Sequence, residues 1–254
     1  MLSALDYGWA ALAALAAGLI NAIAGGGTLI TFPMLTALGV PPIIANVTNS
    51  VALCPGYLAG AGAQWRDLQD QKTRLRWLIP AGVLGGAVGG LLLMVSGEQL
   101  FRNLIPYLLL FASALLAAQD PIKRWVTTRF ASRGTGNLDE RWSTLPIALG
   151  AVYGGYFGAG LGVIMLATLG ITLNDTLVRL NALKQLLSLA INLAATIYFV
   201  IAAPILWPLA GVMAVGALCG GAMGGRLAQR IRPTVLRYTV VAIGIGAAGH
   251  YLLR

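Results

Sequence analysis

Residues 85–90 read Gly-Gly-Ala-Val-Gly-Gly, and residues 220–225 read Gly-Gly-Ala-Met-Gly-Gly. The two stretches stand 135 residues apart, as do Asn46 and Asn181, and Arg102 and Arg237. One offset therefore lays most of the first half of the chain on the second, which marks a duplicated four-helix unit. Fixed self-similarity inside a very apolar chain is a transporter-like pattern, and in such proteins the site lies between the halves, where helices are broken.

Composition sets the broad class. Of 254 residues, 58% are hydrophobic and only 10% charged, with a mean hydropathy of +0.80. An ordinary soluble domain is about 25% charged. Apolar stretches, each near the ~20 residues needed to cross a bilayer, fill most of the chain. The net charge of +9 sits in short loops between these stretches, which points to cytoplasm-facing topology charges and not to nucleic acid. Cys54 and Cys219 both fall inside apolar spans and do not align across the repeat, so they read as small packing residues with no disulfide or metal site. The start of the chain lacks a basic segment, so the first apolar run is expected to be a retained span and not a cleaved signal.

The predicted spans are 5–24, 43–63, 75–95, 101–118, 145–157, 177–202, 206–227 and 235–253. Two shorter apolar pieces, 28–39 and 161–170, follow the glycine clusters Gly25-Gly26-Gly27 and Gly158-Ala159-Gly160. Trp65, Trp77, Trp125, Trp142 and Trp207 flank spans, as aromatic belts do. This divides the chain into a first transmembrane repeat (1–118), a basic linker (119–143) and a second repeat (144–254). Lys and Arg then orient it. Loop 64–76 carries Arg66, Lys72, Arg74 and Arg76; the linker carries Lys123, Arg124, Arg129, Arg133 and Arg141; Arg226, Arg230, Arg232 and Arg237 flank the turn at 228–234. All three regions are expected in the cytoplasm. Segment 145–175 must then leave and return on one side, as a glycine-broken hairpin, and 5–41 must do the same from the opposite side. The expected fold is an all-α polytopic membrane protein. Its two repeats are inverted, each a glycine-broken hairpin followed by three transmembrane helices.

The glycines have two expected jobs. Gly82, Gly86 and Gly90, with Gly85 and Gly89, recur at four-residue spacing, and Gly216, Gly220 and Gly224, with Gly221 and Gly225, repeat the pattern. Bare backbone along one helix face allows close packing, within one chain or between two copies as a homodimer. The clusters at 25–27 and 158–160 instead weaken a helix at membrane depth, where broken backbone is tolerated only if buried or lining a wet cavity. The break also frees N–H groups at the start of a short helix, which attract anions.

Polar residues inside the spans sharpen the expectation. Thr28 and Thr31 follow the first cluster; Asn46, Thr48, Asn49 and Ser50 open one span; Asn181, Lys184, Gln185 and Ser188 open its repeat partner, which continues to Asn192. The offset places Asn46 on Asn181 and Asn49 on Lys184. Lys184 stands about seven residues inside its span, roughly 10 Å deep at 1.5 Å per residue, where an ionised group is costly and functional by default. The eight acids all lie at span ends or in loops, so no deep carboxylate relay is evident. His250 lacks metal-ligand company, and the chain has no Walker loop, no His-Glu-x-x-His and no intramembrane acid pair. Nothing points to an enzyme, a metal or a cofactor. A deep lysine, amide and hydroxyl donors and freed N–H groups suit a cavity for an anion.

These residues resemble the TauE/SafE family of sulfite exporters, also called the four-TMS sulfite/organosulfonate permease (TSUP) family. In the first half the resemblance is carried by Ala24-Gly-Gly-Gly-Thr28, Pro33, Leu38-Gly-Val-Pro-Pro42 and Ala45-Asn-Val-Thr-Asn-Ser50; in the second, by Gly154-Gly-Tyr-Phe-Gly-Ala-Gly160 and Asn181-Ala-Leu-Lys-Gln185. It implies a multi-pass protein of the bacterial inner membrane that moves sulfite, organosulfonates or related sulfur compounds. Its expected partners are the small anion and membrane lipid. Gly25, Gly26, Gly27, Gly158 and Gly160 would open the hairpin tips; Thr28, Asn46, Asn49, Asn181 and Gln185 would donate hydrogen bonds; Lys184 would supply the positive charge. Rocking of one repeat on the other would expose the site alternately. The alternatives are a passive anion channel, a permease for another small anion, and a non-transporting membrane scaffold.

Overall fold

The computed structural model describes residues 3–23, 25–132, 143–227 and 233–253, and among these every regular element is helical. The elements are α1 (Ala4–Ile23), α2 (Thr28–Ala37), α3 (Pro42–Ala63), a 3-10 segment (Trp65–Gln71), α4 (Lys72–Ala117), α5 (Gln119–Ser132), α6 (Thr144–Tyr156), α7 (Leu161–Thr172), α8 (Leu177–Ala202), α9 (Trp207–Leu227) and α10 (Pro233–Leu252). Residues 4–23, 65–117, 177–202 and 207–224 are long and apolar enough to cross a membrane, and α2 and α7 are shorter apolar helices. Several apolar helices of this kind are compatible with a polytopic membrane protein. The outer surface fits that medium, with Leu5, Leu84, Val95, Ile201 and Leu253 largely exposed, as expected where the solvent is lipid and not water.

At 46 residues, α4 would run about 69 Å if straight, more than twice the ~30 Å hydrocarbon core. It does not stay straight. Gly97 takes φ 71° and ψ 166°, a conformation closed to L side chains, and divides α4 into limbs 72–96 and 98–117. The limbs match the two spans predicted on either side of residue 97.

The glycine stretches set the packing. Limb 72–96 of α4 lies against α6 and α8, while α9 lies against α1 and α3. A β-carbon on Gly85 or Gly86 would sit 2.5 Å from a carbonyl oxygen, of Ala148 in α6 and Ile191 in α8 respectively. Gly220 and Gly221 make the equivalent approaches to Leu15 of α1 and Gly56 of α3. Backbone can come this near only where no side chain intervenes. Gly85, Gly86, Gly220 and Gly221 are therefore each covered by a helix of the same chain.

Helices α3 and α8 cross antiparallel. Asn181 Nδ2 donates to Gln64 Oε1 at 2.7 Å, Gly60 faces Gln185, and Asn192 Nδ2 donates to the Ser50 carbonyl at 2.9 Å. The α1–α2 and α6–α7 hairpins meet tip to tip: a β-carbon on Gly25 would lie 2.6 Å from Gly162 Cα. Beside the tips, Phe32 stacks edge-on with Phe157 and Phe101 at centroid distances of 5.2 and 6.2 Å, a favourable geometry for buried rings.

Two basic regions expected as loops contain helix. Residues 65–71 form the 3-10 segment, and most of the linker forms α5. The apolar pair Ile122 and Val126, four residues apart, explains α5: it gives the polar linker one face to bury. Ala24, Arg133, Arg141, Trp142, Arg230 and Arg232 lie outside the described residues.

Candidate functional site

The expected site residues form two clusters. In the first, α3 stitches both hairpins together. Asn49, 2% exposed, directs Nδ2 to Thr28 Oγ1 at 3.5 Å, joining α3 to the first hairpin just past its tip. Asn46, one turn earlier, donates from Nδ2 to the Tyr156 carbonyl at 3.0 Å, joining α3 to the end of α6. The Oδ1 atoms of both asparagines are buried and accept nothing among the described residues. Such atoms are costly unless something else donates to them.

The tip amides differ from expectation. The Gly27 N–H donates to Asn21 Oδ1 at 2.7 Å, and the Gly25 N–H donates to the Ile20 carbonyl at 2.9 Å. Those two groups are used inside the hairpin and are not open to an anion. In the second hairpin the Gly158 N–H reaches the Tyr153 carbonyl at 3.3 Å, and the Tyr153 hydroxyl donates to the Ala159 carbonyl at 2.7 Å. Positive φ at Gly25, Gly158 and Gly160 reverses the chain at each tip. Gly26 packs against Leu116. The glycines therefore shape the tips.

The second cluster lies at the start of α8. Asn181 is held by Gln64, while Lys184, Gln185 and Ser188 are each 1% exposed. Spacings of three and four residues put these three side chains on one strip of the helix. Lys184 Nζ, Gln185 Oε1 and Nε2, and Ser188 Oγ have no hydrogen-bond partner within the described residues. Among the described residues no carboxylate pairs with Lys184 either: the ion pairs join Arg74 and Arg179 to Asp175, Arg179 to Asp70, and Arg237 to Asp120, all near helix ends. A buried ion without a counter-charge costs several kcal/mol even after relaxation. Gly60 leaves room for the Gln185 side chain, because a β-carbon there would stand 2.8 Å from Gln185 Nε2.

The clusters are apart. Lys184 sits opposite residues 60–61 of α3, and Asn49 is twelve residues away from that level, about 18 Å along the helix. Asn49 and Lys184 superpose across the repeat, yet the antiparallel crossing carries them to opposite ends of the α3–α8 contact. One cluster is neutral, rich in amide and hydroxyl groups; the other carries the cation.

Three contributors were not singled out from sequence. Asn21 closes the first tip. Gln64 orients Asn181. Glu98, just beyond the α4 bend, accepts from the Ile43 N–H at 3.4 Å and so caps the start of α3. Only Gln64 had a local signal, as a polar residue at the very end of an apolar span.

Comparison with known proteins gives a consistent picture. The profile of the family described as Sulfite exporter TauE/SafE matches residues 10–251. A probable membrane transporter protein of Haemophilus influenzae is 31% identical over 233 residues, covering 89% of this chain and 86% of its own length. The probable membrane transporter protein YfcA of Escherichia coli K12 is 27% identical over 252 residues, covering 96% and 88%. A Sinorhizobium protein, probable membrane transporter protein ORF9, is 25% identical over 253 residues, covering 93% and 88%.

Proposed function

The chain belongs to the TauE/SafE sulfite exporter family of membrane transporters, and from that premise we propose that it carries a small sulfur-containing anion, sulfite or an organosulfonate, across the bacterial inner membrane. The observation that carries this reading is the strip Lys184–Gln185–Ser188: a buried ammonium with no counter-ion among the described residues, beside buried hydrogen-bonding atoms with no partner among them. An oxyanion answers both needs at once, since it offers charge to Nζ and acceptor oxygens to the amide and hydroxyl. The decisive experiment measures melting temperature of the detergent-solubilised protein against sulfite, thiosulfate, sulfoacetate, taurine and acetate. A ligand that binds only the folded state stabilises it by about 2.7 kcal/mol at a hundredfold excess over Kd. Sulfite, thiosulfate and sulfoacetate should raise the melting temperature, and zwitterionic taurine and acetate should not. A flat response to every sulfur anion refutes the assignment.

Transport by alternating access would use the two repeats as inverted copies. Support comes from packing: α9 rests on α1 and α3 of the first half as α4 rests on α6 and α8 of the second, and the equivalent helices α3 and α8 run antiparallel. In this topology the two hairpins are entered from opposite faces. Single cysteines at Pro41 and Thr172, in a background lacking Cys54 and Cys219, should be labelled by a membrane-impermeant reagent from opposite sides of oriented vesicles. Labelling from the same side rejects inversion.

A further inference from the structure

The inference concerns the first cluster, and the coupling role it assigns there rests on the carrier reading above. The Nδ2 groups of Asn46 and Asn49, expected to donate to an anion, are engaged inside the chain. Asn46 Nδ2 donates to the Tyr156 carbonyl at 3.0 Å, and Asn49 Nδ2 is directed to Thr28 Oγ1 at 3.5 Å. What each residue leaves without a partner is Oδ1, in side chains only 1% and 2% exposed. Turning the Asn46 amide over would set its oxygen against the Tyr156 carbonyl, so that bond fixes which atom is left over. Three residues apart on α3, the two asparagines are neighbours on the helix surface. Thr28 Oγ1 and the Tyr156 carbonyl add two more oxygens beside them.

Oxygens gathered out of water without donors need a positive partner, and the charges nearby agree. Helix α6 ends at Tyr156, which brings the carbonyl end of its dipole to the pair. Glu98 caps Ile43, one turn before Asn46, and its Oε1 is buried without a partner. Among the described residues no Lys or Arg is in ion-pair contact with Glu98. The tip amides are turned away, Gly27 N–H to Asn21 Oδ1 and Gly25 N–H to the Ile20 carbonyl. We infer that Asn46 and Asn49 bind an alkali cation through their Oδ1 atoms, with Thr28 Oγ1 beside them, and that this cation is the coupling ion of the carrier. Neutral amide and hydroxyl oxygens suit a monovalent ion better than calcium or magnesium, which are bound through carboxylates. The carbonyl ends of broken helices hold such ions in carriers built from discontinuous spans. The offset of 135 residues lays Asn49 on Lys184: one half carries its positive charge covalently, and the other takes it from solution.

The test follows the melting temperature of the full chain in detergent as sodium or potassium chloride replaces choline chloride at constant total salt. At a hundredfold excess over Kd, one alkali cation or both should raise it by roughly 5 °C or more, along a saturating curve. Asn49→Leu should weaken that response at least about tenfold in apparent Kd. Asn49→Asp keeps an oxygen for the Thr28 hydroxyl and adds a negative charge, so it should retain or strengthen the response. Melting in choline alone reports whether either variant folds as the wild type does. In proteoliposomes, a gradient of the stabilising cation should drive labelled sulfite against its own concentration gradient. Equal melting in all three salts means that ordered water alone fills the pair, and overturns the site. An undiminished response in Asn49→Leu, or its loss in Asn49→Asp, overturns it too. Cation binding without gradient-driven transport overturns the coupling role. A protein that responds to the alkali cation but to no sulfur anion refutes the carrier reading and leaves the cation site standing.

Discussion

Replacing Lys184 by methionine should abolish anion transport and, at the same time, raise the melting temperature of the ligand-free protein. The two effects share one cause. The ammonium is 1% exposed without a counter-ion among the described residues, so the empty protein bears the desolvation of an ion that only a ligand can offset. Methionine has similar length and no charge. Exchanging buried charge for well-packed apolar side chains is commonly stabilising by about 1–4 kcal/mol, which corresponds to roughly 2–4 °C per kcal/mol for a chain of this size. The ligand loses its counter-charge, and removing one partner of a buried ion pair costs about 3–5 kcal/mol, a hundredfold or more in affinity. Uptake of labelled anion into proteoliposomes, measured beside thermal melting, checks both halves. Full transport by the methionine variant would remove Lys184 from the mechanism, and a fall in ligand-free melting temperature would show that its charge is satisfied inside the chain.

Gly25→Ala should destabilise the protein much more than Gly39→Ala, although the two glycines have nearly the same backbone. Their φ angles are 83° and 81°, so each alanine carries a left-handed penalty of about 1–2 kcal/mol. Their surroundings differ. Nothing lies within 4 Å of a β-carbon on Gly39, whereas one on Gly25 would stand 2.6 Å from Gly162 Cα. That neighbour is backbone of the opposing hairpin and can yield only by parting the tips. Overpacking adds about 1–3 kcal/mol, so Gly25→Ala should lose at least twice as much stability as Gly39→Ala, together with transport. Gly162 has no side chain to rearrange, which rules out relief by a rotamer change. Equal losses in the two variants would mean that the tips do not bear on each other.

Much of the architecture was legible along the chain because its causes are local. Span positions follow from runs of apolar side chains, and breaks follow from glycine and proline, so predicted and observed helix ends agree to within a few residues for every helix but α5. Residues 85–90 and 220–225 announced close packing by their own spacing. The linker was less legible. Its charge masked the single apolar pair Ile122 and Val126, and a helix that buries so narrow a stripe has little signal until its neighbours α7 and α8 are in place.

The site divides along the same line. The burial of Lys184 could be anticipated from sequence alone, because it stands seven residues inside an apolar span. Its neighbours could not. The offset of 135 residues equates Asn49 with Lys184 in sequence, yet the antiparallel crossing of α3 and α8 places them at opposite ends of the contact. Whether a tip amide is open likewise depends on Asn21 reaching Gly27, a pairing between residues that look unrelated in the chain. Hydropathy and backbone freedom belong to each residue by itself, and these settled which segments are helical and where they break. The meeting of polar groups depends on how helices distant in sequence cross, and only the folded chain decided that.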